Sequence, residues 1–253
     1  MSRSAVCDTA VPAVRAMRDV HGAQTARRAT FVLSRTAASA RIMRRMAHSP
    51  LRLAVLVSGS GTTLQNFVDV IAAGRLDARI DLVVGSRPGL LGLKRAADAR
   101  LPNFVVDRRA FDDCAGFSKE IFSLCDDAGV DLVCLAGWLC LLDLPARYAG
   151  RVMNIHPALL PSFGGKGMFG RKVHQAVLDH GCKVSGCTVH FVDNTYDTGP
   201  IILQRTCPVL DDDTPESLAH RVFEEEKIAY PEAIRLFQQG RLKIEGRRVR
   251  VLH

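Results

Sequence analysis

Asn154 and His156 stand two residues apart in the apolar run 151–163, RVMNIHPALLPSF, which Pro157 interrupts. Residues two apart on a strand share a face. A carboxamide and an imidazole would therefore stand side by side at a strand end. The carboxamide offers an N–H donor to a developing oxyanion, and the imidazole moves a proton near neutral pH. The pair suits acyl transfer; the plainer alternative is a strand end whose polar residues satisfy buried backbone. Asp197 is the third candidate, in the turn-rich stretch DNTYDTGP at 193–200, although Asp-x-Gly-Pro turns also arise for geometric reasons alone. Beside an imidazole, this carboxylate would hold one tautomer and raise the imidazole pKa, so that a protonated His156 could stabilise an oxyanion. Spacing alone does not bring the two together. His190 reads as a satisfied structural histidine on a long strand, and His174 and His180 as helix-surface residues.

A second chemical feature is Ser58-Gly59-Ser60-Gly61-Thr62-Thr63, preceded by the apolar run 51–57 and followed by Leu64, Phe67, Val68 and Ile71 at helical spacing. Strand, glycine turn and helix together form a phosphate-binding shape, because free N–H groups at a helix start suit a small anion. Leu64 replaces the third glycine of a dinucleotide fingerprint, and no lysine follows as in a Walker A loop. A monophosphate fits this turn better than a dinucleotide or triphosphate, with an ordinary tight turn as the alternative.

The elements that must position these groups follow from periodicity. Strand-like runs at 51–57, 80–85, 103–106, 132–136 and 152–155 alternate with helix-like stretches at 92–99, 112–128 and 143–148. Such alternation predicts an α/β fold with a doubly wound, mostly parallel sheet, whose ligands sit beyond the carboxyl ends of the strands. The glycine turn and the Asn154/His156 pair would then share one edge. A glycine-rich loop at 164–170, GGKGMFG, follows no strand directly and reads as a mobile substrate-side loop. The pattern continues with a helix at 172–179, long strands at 184–192 and 201–209, an amphipathic helix at 215–239, and a C-terminal hairpin from 242–244 and 247–251.

A net charge of +8 invites a nucleic-acid reading, but nine arginines and two aspartates fall within residues 1–50. The remainder carries 25 basic and 24 acidic residues, too even a balance for a phosphate-backbone surface. Residues 1–50, rich in Arg, Ala, Ser and Thr, resemble either an organellar transit peptide or a leader translated from too early a start, with Met43 and Met46 as alternative starts. They are expected to be disordered, leaving 51–253 as one domain. Cys7, Cys114, Cys125, Cys134, Cys140, Cys182, Cys187 and Cys207 are scattered without a CxxC pair. This spacing signals neither a zinc site nor a disulfide framework and suggests a reducing compartment. No apolar run approaches the ~20 residues of a membrane span.

Taken together, SGSGTTLQ (58–65), LAGWLCLL (135–142), NIHPALLP (154–161), VHFVDNTYDTGPII (189–202) and the helix with Glu226, Tyr230 and Pro231 resemble the phosphoribosylglycinamide formyltransferase family, from about residue 51 to 251. The resemblance implies a Rossmann-like formyltransferase fold and transfer of the formyl group of 10-formyltetrahydrofolate to the amine of N1-(5-phosphoribosyl)glycinamide, in purine (IMP) biosynthesis. It implies that Asn154, His156 and Asp197 are catalytic, that Gly61, Thr62 and Thr63 hold the substrate phosphate, and that Glu226 binds the ribose. It places formyl folate against Leu139, Cys140, Leu141, Leu142, Asn154 and the loop Asp193, Asn194, Thr195, Tyr196 and Asp197. It further implies no metal, no nucleic acid, no membrane, small-molecule partners, a monomer or homodimer, and a cytoplasmic location, or an organelle if 1–50 is a true transit peptide. Three departures stand out: Thr63 where many members carry Asn, Cys114 where some bacterial members carry a basic folate contact, and a longer 164–170 loop, as in plant-type members. Formyltetrahydrofolate hydrolase resembles the same core but usually adds an amino-terminal regulatory domain. Methionyl-tRNA formyltransferase would need a basic carboxy-terminal domain. A nicotinamide oxidoreductase would need an acidic residue ending the second strand, where Val84, Gly85 and Ser86 stand.

Overall fold

The computed structural model describes residues 49–253. The leader expected at 1–50, with its alternative starts, thus lies outside the described residues except for its last two positions. The strands are β1 (Leu51–Val57), β2 (Ala78–Gly85), β3 (Asn103–Val105), β4 (Leu132–Leu135), β5 (Val152–His156), β6 (Val184–Phe191), β7 (Ile201–Pro208), β8 (Leu242–Glu245) and β9 (Arg248–Val251). The helices are α1 (Thr62–Ala72), α2 (Leu91–Asp98), α3 (Cys114–Asp127), α4 (Arg171–Asp179) and α5 (Pro215–Gln238). One sheet holds all nine strands in the order β3-β2-β1-β4-β5-β6-β7-β9-β8. The first five in that order pair in parallel, whereas β6 runs antiparallel to both β5 and β7. The parallel character therefore belongs to one half of the sheet. The hairpin β8–β9 extends the other edge, its β9 pairing in parallel with β7 at Ile201 and Arg248.

β1 is buried on both faces, as its sequence, apolar apart from Arg52 near its start, requires of a strand between two helical layers. Ala54 and Leu56 pack with Leu82, Val84, Val133 and Leu135 against Phe117, Ile121 and Phe122 of α3. The alternate residues Leu53, Val55 and Val57 are also fully buried and face the other layer. There the Tyr230 hydroxyl of α5 donates to the carbonyls of Leu135 (3.2 Å) and Met153 (2.8 Å), and the Phe67 ring of α1 meets Tyr230 edge-on at 5.0 Å. α5 starts where Thr214 and Ser217 form a reciprocal capping box with Pro215 at the first helical position.

Because β1 lies between β2 and β4, the sheet reverses winding there, and a crevice opens beyond the carboxyl ends of β1, β4 and β5. Hydrogen bonds lace these ends together: Ser58 N–H to the Gly137 carbonyl (3.2 Å), Leu139 N–H to Ser58 Oγ (3.1 Å) and the Ser86 hydroxyl to Ser58 Oγ (2.9 Å). The helix expected at 143–148 is instead a single 3₁₀ turn, Ala146–Tyr148. Pro145 supplies no N–H at its start, Gly150 leaves the helical region at φ 72°, and the Leu144 N–H is taken by Asn194 Oδ1 at 2.9 Å. Among the described residues no helix is long and apolar enough to cross a membrane.

Candidate active site

β5 carries Asn154 and His156 on one face at its carboxyl end. β6 runs antiparallel beside it and sets His190 directly opposite Asn154. The His190 Nδ1–H donates to the Phe191 carbonyl at 2.8 Å, which leaves Nε2 to accept from Asn154 Nδ2 at 3.1 Å. After β6 the chain turns through 192–200 and delivers Asp197 at φ 56°, a left-handed conformation that aspartate tolerates. Gly199 makes this turn possible, because a side chain there would run into the Phe191 carbonyl.

Asp197 is the hub. Its Oδ1 accepts from Asn154 Nδ2 at 3.3 Å and lies 3.7 Å from His190 Nε2; its Oδ2 accepts from the Gly165 N–H at 2.9 Å and lies 3.5 Å from His156 Nδ1. Asn154, His156 and Asp197 thus converge, and His190, buried with both ring nitrogens hydrogen-bonded as a satisfied histidine is expected to be, meets them through Asn154. The sequence alone carries no strand register, so nothing in it places His190 opposite Asn154. His156 Nε2–H donates to the Phe163 carbonyl at 2.8 Å. Buried to 4% exposure, its imidazole has a pKa below the ordinary value: burial outweighs the upward pull of Asp197 and of the Phe163 carbonyl, and His190 adds to the lowering. Burial therefore works against the charged imidazole expected at His156, while Asp197 favours it. Burial alone would raise the Asp197 pKa, but His190, His156 and the Gly165 N–H together hold it below the usual carboxylate value.

These groups open onto a cavity of about 740 Å³, within the range of small-molecule sites. Ser60, Thr62 and Thr63 line one part of it. Gly61 lies behind them at φ 72°, packed on Gly92, and α1 begins there with no side-chain cap. Among the described residues no side chain caps its first N–H groups, an arrangement that suits an anion. Glu226 of α5, half-buried, lines the same cavity, and desolvation there pushes its carboxyl pKa up to about 7. Among the described residues it has no hydrogen-bond or ion-pair partner. The 164–170 loop forms the lid side through Gly165, Lys166, Gly167, Met168, Phe169 and Gly170.

A recess of about 50 Å³ adjoins this cavity and shares Trp138, Asn154, Tyr196 and Asp197 with it. Cys140, Leu141, Leu142, Asp193 and Thr195 also line the recess. Leu142 belongs to the α3 core and forms its floor, while Leu139 is 43% exposed on the rim of the main cavity. The Asp193 carboxylate is already engaged by the Thr195 N–H (3.0 Å) and the Thr198 hydroxyl (2.8 Å). Asn194 lines neither space, because its side chain is spent on Leu144. His174 also departs from its surface reading. It is 4% exposed in the cavity wall, its Nδ1 has no partner among the described residues, and burial followed by repulsion from His156 lowers its pKa. It follows Val173 on the apolar face that α4 turns inward. His180 is exposed, with its ring edge-on to Phe163 at 5.3 Å.

The doubly wound half-sheet, with an amide, an imidazole and a carboxylate at its switch-point crevice, defines a formyl-transfer class of α/β protein, and a family model described as Formyl transferase matches residues 51–234. The chloroplastic phosphoribosylglycinamide formyltransferase of Arabidopsis thaliana is 39% identical over 201 residues, covering 78% of this chain and 69% of that protein. The chain belongs to the phosphoribosylglycinamide formyltransferase family. The solved glycinamide ribonucleotide transformylase 1 of Symbiobacterium toebii is similar at 45% identity and a TM-score of 0.75, covering 81% of this chain and 95% of that one. A trifunctional purine biosynthetic protein of Drosophila melanogaster is 38% identical, but the chain spans only 15% of its length. A formyltetrahydrofolate deformylase from Pseudomonas syringae, at 23% identity and a TM-score of 0.72, shows the shared fold alone.

Proposed function

We infer that the protein transfers the formyl group of 10-formyltetrahydrofolate to the amine of N1-(5-phosphoribosyl)glycinamide, releasing tetrahydrofolate and the N-formyl product. The observation that carries this reading is the meeting of Asn154, His156 and Asp197 beside a cavity that also holds a helix N-terminus with no side-chain cap and an unpartnered glutamate. The phosphate binds at Gly61, Thr62 and Thr63, where N–H groups and helix dipole favour an anion. The ionised Glu226 accepts hydrogen bonds from the ribose hydroxyls. The coenzyme lies along Leu139, Cys140, Leu141, Leu142 and the 193–197 loop, with its formyl group at Asn154.

The amine lone pair attacks the formyl carbon, and the carbonyl electron pair moves onto oxygen. Asn154 has both N–H bonds occupied in the free protein, so the oxyanion takes the place of Asp197 Oδ1, the longer of its two acceptors. Asp197, released from Asn154, accepts the amine proton directly or through water. His156 faces two acceptors, the Phe163 carbonyl and Asp197. Only an imidazolium satisfies both, so a proton arriving during the reaction converts a poor contact into a good one. Collapse of the intermediate breaks the bond from the formyl carbon to N10, which takes up the proton that the amine gave. Placing amine and formyl group together supplies much of the rate.

The test mixes purified protein, 10-formyltetrahydrofolate and the ribonucleotide. Tetrahydrofolate should form only when the ribonucleotide is present. Equal deformylation in its absence would identify a hydrolase instead.

A further inference from the structure

Arg108 begins the 3₁₀ turn Arg108–Ala110 that follows β3. The carboxylate beside it, Asp107, is committed to Arg109 through contacts of 3.1 and 2.8 Å. Among the described residues, Arg108 has no carboxylate within ion-pair distance. One N–H donates to the Phe111 carbonyl at 2.7 Å, and the guanidinium carbon sits 5.6 Å from the centroid of the Phe117 ring. Phe117 in turn stacks on Trp138 at 5.8 Å and 8°, and Trp138 walls both the cavity and the recess. Arg108 is thus a half-buried cation on a rigid aromatic stack, with four of its five N–H bonds unassigned. Its charge reaches the Cys140 thiol and the Tyr196 hydroxyl, two groups that line the recess. Cys114, the first residue of α3, is a small side chain whose Sγ lies 3.3 Å from the Leu141 carbonyl.

We propose that Arg108 is a specificity-determining residue that receives the carboxylates of the glutamate tail of the formyl folate. The proposal rests on the function inferred above. With N10 at Asn154 and the coenzyme along Leu139 to Leu142, as inferred above, its tail leaves past Leu139 and Cys140 towards Arg108. A planar guanidinium with free paired N–H groups grips a carboxylate through two hydrogen bonds, which the thiols of Cys114 and Cys140 cannot do.

The test compares 10-formyltetrahydrofolate with 10-formyltetrahydropteroate, which lacks the glutamate, in the full chain and in Arg108→Met and Arg108→Lys. Methionine keeps an apolar stem over Phe117 and removes only the charge. In Arg108→Met the KM for the glutamate-bearing coenzyme should rise about tenfold or more, the scale of one charge-assisted hydrogen bond. The turnover number, the KM for the ribonucleotide and the KM for the tail-less coenzyme should stay at wild-type values, and Arg108→Lys should recover part of the loss. An unchanged KM for the glutamate coenzyme, or an equal rise for both coenzymes, overturns the proposal alone. A wild type that transfers formyl from neither coenzyme overturns the inferred function and this proposal with it.

Discussion

Both amide hydrogens of Asn154 are placed before any substrate arrives, one on His190 at 3.1 Å and one on Asp197 at 3.3 Å. This pre-positioning fixes the amide plane, so an oxyanion meets a donor that has no rotamer freedom left to lose. Removing such a donor typically costs about a hundredfold to a thousandfold in rate. Asn154→Ala and His156→Ala should each lower kcat on that scale and change the KM for the ribonucleotide little, as expected of contacts made mainly in the transition state. Steady-state kinetics with both substrates checks this, and near-normal turnover in either variant removes that residue from the mechanism. His190→Ala tests positioning: kcat should fall less than in Asn154→Ala, and a double variant should lose little beyond Asn154→Ala alone. At this scale the sequence was informative about Asn154 and His156, because a two-residue spacing on a strand is a local rule. It was silent on His190, which reaches the site through pairing between β5 and β6. It did not report the burial of His156, which opposes the charge that Asp197 favours.

The elements set these groups in place through a few backbone necessities. The 192–200 turn must pass against β6 closely enough for Asp197 to reach back to both β5 side chains, and Gly199 faces the Phe191 carbonyl at that approach. Gly199→Ala should therefore destabilise the fold by about 2–3 kcal/mol, in the range of forced overpacking, and should lower kcat in the protein that remains folded. Chemical denaturation measures the first effect and kinetics the second; wild-type stability would show that the turn accommodates a methyl group. Most strand and helix bounds agree with the sequence to within one or two residues, because β1, β4 and β5 are short, mostly apolar runs and α5 is a long amphipathic one. The failures have identifiable causes. Residues 143–148 carry helix-forming types, but Pro145 falls inside the stretch and Gly150 follows it, leaving room for only one 3₁₀ turn. His174 looked like a surface residue because Arg171, Lys172 and Gln175 around it are polar, yet α4 packs with Val173, His174 and Val177 buried.

Across the whole molecule, three desolvated titrating groups pull stability in opposite directions with pH. His156 and His174 are held below the model imidazole value of 6.5. The unfolded chain therefore takes up protons first as pH falls through about 6.5, and the folded state loses stability below that point. Glu226 does the reverse: its carboxyl is raised from 4.5 to about 7, so between those values the folded state binds the extra proton and stability declines as pH rises. Glu226→Gln removes the second effect and leaves the first. Its melting temperature relative to wild type should therefore be higher at pH 8 than at pH 5, and a difference of equal size at both pH values would refute the assignment. If Glu226 holds the ribose as proposed, the same proton governs binding, since a carboxylate accepts from two hydroxyls and a neutral acid donates to one of them. Wild-type affinity for the ribonucleotide should rise as pH increases through about 7, while that of Glu226→Gln should be weaker and lack this step. Calorimetric titration of the ribonucleotide at pH 6 and pH 8 reads both quantities. A raised carboxyl pKa is thus a cost to the empty fold that substrate binding offsets, and it links the apo protein's stability to the occupant of its cavity.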